Sequence, residues 1–504
     1  MISSPLNLFS NARVFIDRKF TSFSETGIYL LQYSVILALS LFSFLLFKLG
    51  ITTITGSFIF SFSLMGFIWP AYLASAFILL VALAHRDFTY LSMDLSFTPL
   101  YITEWVLMIL LIAAIPRFQS IIKTYKTPTL IILSFFMVGF ALFLASGPYW
   151  EAKTAIRHFA IVYYSLFAIA IFAHITKPYQ FKITLLAMIL GSIPHLLGDL
   201  LNFLYMTFPA TPEQKNLSLR NSFYILTAVG VCLPFIYGGK TGKYFKPVAV
   251  FMIAAFIVLC LYTYTKTAII TLFIMLLACL VMKRKVLDRR MKLIIVMTLI
   301  LPFLITPPGK TYSAYKTFLG TNYIKETRNA VNFLAMRDFV EYPYGIGFGP
   351  SIFGDHIRER VINVDNMHSL HNSYISILIR TGIEGGIFFF SILACAFLSG
   401  LYSIHMAPSG SPELRLAEAV FFAFLPSTTY PFAHVALQGP FFGTFFWIFI
   451  GLLFVFPRLF LGVEETNCRN IYDWVCQLAV KAYGSLRHRI LGHPSTGIDE
   501  TEAA

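Results

Sequence analysis

Charge is what this sequence has least of. Only 12% of its 504 residues are Asp, Glu, Lys or Arg, where a soluble domain carries about a quarter. Hydrophobic residues make up 57% of the chain and the mean hydropathy is +0.74. These figures exclude a water-soluble globular chain and make lipid the main solvent. Cysteine is also scarce. Cys232, Cys260, Cys279 and Cys395 lie in apolar runs, and Cys468 and Cys476 lie near the C-terminus. None has metal-ligand spacing, and the pattern argues against a disulfide framework. No internal repeat with a clear period is present. Residues 1–25 are polar and mixed and lack the apolar stretch and small-residue cleavage site of a leader. The first hydrophobic segment is therefore expected to stay as an anchor.

What the chain does have is apolar runs of about 20 residues, the length that crosses a bilayer. They lie near 28–48, 51–68, 70–85, 100–116, 128–146, 157–176, 182–206, 221–238, 247–262, 264–282, 292–308, 373–403, 415–433 and 440–461. That predicts an all-α polytopic membrane protein of 12–14 spans, with the count open at 51–85 and 247–282.

The net charge of +14 sits mainly in short connections. Arg13, Arg18 and Lys19 precede the first span, and Arg117, Lys123 and Lys126 follow the fourth. Lys240, Lys243 and Lys246 form a third group, and Lys283, Arg284, Lys285, Arg289, Arg290 and Lys292 form the strongest. The positive-inside rule makes all four groups cytoplasmic. Fourteen spans put all of them on one side, with both chain ends inside. The basic excess thus points to membrane lipids as partners and not to nucleic acid. Residues 1–27 form a cytoplasmic segment, 28–308 a first group of spans, 309–371 a long outer loop, and 372–461 the last spans. In 462–504, Ile471, Trp474, Val475, Leu478, Ala482 and Leu486 share one face of an interfacial helix that precedes a polar end.

The same parity puts Arg157, Arg220 and Lys266 at outer helix ends, where basic residues are normally few. The loop 309–371 is nearly neutral, with seven Lys/Arg and six Asp/Glu. A loop of this length is functional or disordered, and its aromatic and aliphatic anchors favour structure. Arg328–Tyr342 reads as a helix with Val331, Leu334, Phe339 and Val340 on an apolar face and Arg328 and Arg337 elsewhere. In the following Pro343–Pro350, Gly345, Gly347 and Gly349 alternate, which makes a rigid turn whose backbone can approach a ligand. Further on, His371 precedes an apolar helix that Asn372 or Ser373 can cap. In the span 182–206, His195 and Asp199 stand at i and i+4, as a buried hydrogen bond or a proton relay.

The run His371-Asn372, nine residues, Gly382, two residues, Gly385 resembles the signature of the O-antigen ligase and O-antigen polymerase superfamily. Arg328, then Tyr342-Pro343 and Gly345-Ile346-Gly347-Phe348-Gly349, resemble the segment that precedes that signature in the same family. The resemblance covers about 328–390 and is diffuse elsewhere. It implies a GT-C-like fold in the bacterial inner membrane with its active site facing the periplasm. It also implies an inverting, metal-independent, cofactor-free glycosyl transfer from a glycan on undecaprenyl diphosphate to a lipid A-core or glycan acceptor.

By the same resemblance, His371 and Arg328 are the catalytic positions, and Arg220, Lys266, Arg157 and Arg337 are diphosphate-binding candidates. Asn372, Gly382, Gly385, Gly345 and Gly347 are the motif positions with structural roles. One departure is Tyr264-Thr265-Lys266-Thr267, where family members often have Ser-Arg. A lysine there is a point charge and not a bidentate fork.

The residue types suit the chemistry. A diphosphate leaving group gains negative charge, which arginine and lysine stabilise without a metal. An attacking hydroxyl must lose a proton, and histidine takes protons near neutral pH. The motif leaves ligase and polymerase both open, with the ligase favoured by the spacing. A secondary transporter using His195 and Asp199 is the third reading, though the paired broken helices of such proteins are not evident.

Overall fold

The computed structural model describes residues 53–94, 99–146, 152–205, 212–236, 247, 250–256, 266–282, 328–349, 372–432 and 436–463. Among them the chain is helical apart from one short antiparallel pair, β1 (Ser92–Asp94) with β2 (Pro99–Tyr101), in which Met93 faces Leu100. The helices are α1 (Thr53–Ile68), α2 (Pro70–Thr89), α3 (Ile102–Ala114), α4 (Phe118–Thr124), α5 (Lys126–Ser146), α6 (Ala152–Tyr163) and α7 (Leu166–His174). They continue as α8 (Pro178–Tyr205), α9 (Pro212–Cys232), α10 (Lys266–Met282), α11 (Arg328–Glu341), α12 (Ser373–Met406), α13 (Pro412–Thr429) and α14 (Pro440–Leu461).

Five of the described helical stretches are long and apolar enough to cross a membrane: Ile102–Thr124, Lys126–Ser146, Pro178–Leu201, Ser373–Met406 and Pro440–Leu461. A sixth span is formed if α6 and α7, bent by 47° at their junction, act together. The protein is a helical, multi-pass membrane protein. The expected run over 51–85 divides into α1 and α2 at Trp69, because Pro70 opens a new helix without a backbone donor. The runs expected at 28–48 and 292–308, and the interfacial helix in the tail, lie outside the described residues.

The core is centred on α14. Nearly every side chain from Phe442 to Pro457 is buried, as expected of a helix that is apolar on all sides. It packs on α7, α12, α13 and α2. Trp447 is fully buried with Phe389, Phe446 and Phe135 around it, at ring centroids of 6.0, 5.2 and 6.1 Å. Lipid tails are as apolar as these side chains, so close packing and internal hydrogen bonds hold the helices together. Ser399 Oγ donates to the Leu453 carbonyl at 2.9 Å. Ser75 and Thr184 pair at 3.0 Å between α2 and α8.

Hydrogen bonds also sort the helix ends into two groups. At one end, Arg117 donates to the Ala173 carbonyl at 3.0 Å, His174 meets the Leu110 carbonyl at 2.8 Å, and Arg458 lies over the Tyr125 ring. At the other end stand Ser146, His158, Ser373 and Tyr430, together with the segment 343–349. The second group is called the loop end below.

Candidate functional site

The site is built on a break in α12. Gly382 has φ 68° and ψ −169°, inside a helix that is otherwise regular. Only glycine adopts this backbone readily. In an unbroken helix the Ile383 amide would bond to the Ile379 carbonyl. Here both groups turn to the segment 343–349. Ile383 N donates to the Pro343 carbonyl at 2.8 Å, and the Ile379 carbonyl accepts from Ile346 N at 2.8 Å. The Arg380 carbonyl accepts from Gly347 N at 3.1 Å. The segment thus takes up the backbone groups released by the break, and each side satisfies the other.

The segment itself is shaped locally. Gly345 N donates to the Tyr342 carbonyl at 3.0 Å, closing a β-turn with Pro343 at the position where proline presets φ. Gly345 and Gly347 have φ of 88° and 74°. A Cβ on Gly345 would sit 2.6 Å from both the Arg380 carbonyl oxygen and Gly382 N. The close backbone approach that these glycines permit is made here to α12.

Side chains from three helices brace the turn. Ser146, the last residue of α5, accepts from Phe348 N at 2.8 Å, and its hydroxyl reaches the Leu142 and Phe348 carbonyls at 2.7 and 3.1 Å. From α6, His158 accepts at Nδ1 from Gly349 N at 3.3 Å. That bond needs an unprotonated Nδ1, so in the neutral ring the proton lies on Nε2. From α12, Arg380 donates through Nη1 to the Gly347 carbonyl at 3.2 Å. Phe348 is fully buried and meets Phe159 edge-on at 5.3 Å.

The start of α12 is fixed as firmly. Asn372 Oδ1 accepts from Tyr374 N at 3.0 Å and Ile375 N at 3.2 Å, which makes it the N-cap. Ser373, the alternative cap, does something else. Its Oγ accepts from Ala436 N at 2.9 Å and Leu437 N at 3.1 Å, tying the entry of α12 to the chain before α14. Tyr374 donates to the Thr428 carbonyl of α13 at 2.7 Å. Gly385 faces the side chain of Thr381, so close that a Cβ there would lie 2.3 Å from Thr381 Cβ.

A second, half-buried cluster lies at the start of α3. Glu104 Oε1 accepts from the hydroxyls of Tyr163 and Tyr164, both at 2.8 Å, and Oε2 accepts from Tyr101 N at 2.8 Å. It holds the bend between α6 and α7 to the first turn of α3.

The basic positions singled out in the sequence fall as follows. Arg157 is exposed on the first turns of α6, beside His158. Arg220 lies in α9, two residues before Ser222, whose Oγ pairs with the Tyr430 hydroxyl at 2.6 Å at the loop end. Lys266 opens α10, and Thr271 one turn on pairs with Thr429 at 2.8 Å. Arg328 opens α11, the helix read from 328–342, and Arg337 is exposed on it. Among its described side chains Ala335 is buried, Phe339 is half-buried and Val340, one of the four residues expected on its apolar face, is 76% exposed; Val331 and Leu334 lie outside the described side chains. His371 lies outside the described residues, next to the cap at Asn372. His195 meets the Ala82 carbonyl of α2 and stacks on Tyr224, with centroids 6.0 Å apart.

No family model matches this chain, and no curated protein matches it. The case therefore rests on its own residues. Sequence reasoning missed His158, Arg380, Ser146, Ser373 and Glu104. Arg380 and Glu104 had a legible signal, since each is an ionisable residue within an apolar run. His158 had the same signal, within the run 157–176, whereas Ser146 had none, because its partner Phe348 stands 202 residues away.

Proposed function

We propose that this protein is a membrane glycosyltransferase of the O-antigen ligase type. In this reading it moves a polysaccharide from undecaprenyl diphosphate to a lipid A-core acceptor, in a GT-C-like fold at the periplasmic face of a bacterial inner membrane. The observation that carries the reading is the interlock of the two motif segments. Tyr342–Gly349 and Asn372–Gly385 exchange three backbone hydrogen bonds at the Gly382 break, so residues that resemble one family signature form one structural unit. The helices that bear Arg157, Arg220 and Lys266 also make contacts at the loop end, through His158, Ser222 and Thr271, which supports the reading.

The chemistry follows from the residue types. Arg220, Lys266, Arg157 and Arg337 supply positive charge for the diphosphate. That charge matters most as the anomeric bond breaks and the leaving group becomes more negative. Arg328 adds to the same field from the start of α11. His371 takes the proton from the acceptor hydroxyl as it attacks. The cap at Asn372 immediately follows His371 in sequence and fixes the start of the helix beside it. The lipid tail of the donor runs between spans, where only a membrane fold offers a groove.

The test is a purified-component assay with the full chain, a lipid-linked glycan and lipid A-core. Formation of glycan-capped core supports the ligase. Elongation of the lipid-linked glycan without capping moves the protein to the polymerase class. Solute movement with no new glycosidic bond removes both.

A further inference from the structure

We infer that Arg380 is a positioning residue that, together with His158, holds the Pro343–Gly349 turn in register on the α12 break. Arg380 is completely buried inside an apolar helix. A guanidinium in that setting is costly unless the fold uses its hydrogen bonds. The use is visible at Gly347. Arg380 Nη1 donates to the Gly347 carbonyl at 3.2 Å, and the Arg380 carbonyl accepts from Gly347 N at 3.1 Å. One residue therefore grips the turn through side chain and backbone together.

His158 grips the same turn two residues on, through Gly349 N at 3.3 Å, and it comes from a different helix. The cations that act on its ring are Arg380 and its neighbour Arg157. His158 is only 9% exposed, and Arg380 is not exposed at all. Both are shielded from the surface, and each grips the turn directly. Gly349 leads directly into the segment that carries His371.

Hydrogen exchange of the full chain in lipid nanodiscs, resolved to single amides, tests this without reference to activity. In Arg380→Met the amides of Ile346 and Gly347 are expected to exchange about tenfold faster, the scale of losing a hydrogen bond to a charged group. His158→Ala is expected to speed exchange at Gly349, and His158→Asn to restore protection, because the Asn Oδ1 can accept the same bond. Amides within Pro440–Leu461 serve as the control for intact folding. Unchanged exchange at Ile346 and Gly347 in Arg380→Met, with that control intact, overturns the inference. If Arg380→Met loses the control as well, His158→Ala and His158→Asn decide: equal exchange at Gly349 in the two variants and the wild type overturns it.

A kinetic arm rests on the proposed transferase reading. There Arg380→Lys is expected to lower kcat while the donor KM stays within about twofold, the pattern of lost positioning and not of lost binding. A raised donor KM at unchanged kcat would instead make Arg380 a donor-binding group and overturn the inference. A wild-type protein that forms no glycosidic bond defeats the transferase reading alone, and the exchange arm still decides the role of Arg380.

Discussion

Ile383 gives its amide to the carbonyl of Pro343 at 2.8 Å, although regular helical geometry would give it to Ile379. The Ile379 carbonyl is in turn taken by Ile346. This exchange of partners joins a surface turn to a membrane-spanning helix at the level of the backbone. Side chains alone would leave the peptide groups of the break unsatisfied in a region poor in water.

Gly382 is the residue on which the exchange depends. A Cβ there would lie 2.4 Å from the Tyr344 carbonyl carbon and 2.6 Å from its oxygen. Gly382→Ala is expected to cost about 1–3 kcal/mol from backbone strain alone, with the clash in addition. It should release the turn, seen as faster hydrogen exchange across 343–349. An unaltered exchange pattern and melting temperature in this variant would show that the break is incidental.

Asn372 should behave as a cap and not as a reacting group. Asn372→Ala is expected to lower stability by about 1 kcal/mol, and Asn372→Asp or Asn372→Ser to lose much less. The measurement is the melting temperature in detergent alongside transfer activity. Loss of activity in Asn372→Asp at full stability would contradict the assignment.

Ser373 accepts two buried backbone N–H groups, from Ala436 and Leu437. Ser373→Ala leaves both without this partner, at a cost of about 1–3 kcal/mol for each. Thermal unfolding is expected to show a larger loss than in Asn372→Ala. A smaller loss would mean that the chain before α14 finds other partners.

Glu104 receives three donors, the hydroxyls of Tyr163 and Tyr164 and the amide of Tyr101. Glu104→Gln keeps the shape but turns one acceptor oxygen into a donor, so one of the three loses its partner. A destabilisation of about 1–3 kcal/mol is expected, measured by thermal unfolding. Equal stability in Glu104→Gln would imply that the carboxyl is already protonated and serves as a donor itself.

Arg220→Ala and His371→Ala test the proposed chemistry. Both are expected to abolish transfer while membrane insertion and melting temperature stay at wild-type values. Full transfer in His371→Ala would remove its role as the base but leave the diphosphate reading of Arg220 standing.

Much is legible in the sequence alone. Low charge and long apolar runs determined a helical membrane protein, because composition alone sets the solvent a chain prefers. Local signals determined the helix that begins at Arg328 and narrowed the cap of α12 to Asn372 or Ser373, since both depend on residues a few positions apart; the structure chose Asn372. The glycines of the turn and of α12 were legible as special positions, but not as partners. Only the tertiary structure decided that Gly382 breaks its helix, that Gly345 and Gly347 meet this break, and that Ser146, His158 and Arg380 close around the turn. The physical reason is distance along the chain. Ser146 and Phe348 are 202 residues apart in sequence and 2.8 Å apart in space. No periodicity or propensity encodes such a pairing; it exists only once the packed helices bring their ends together.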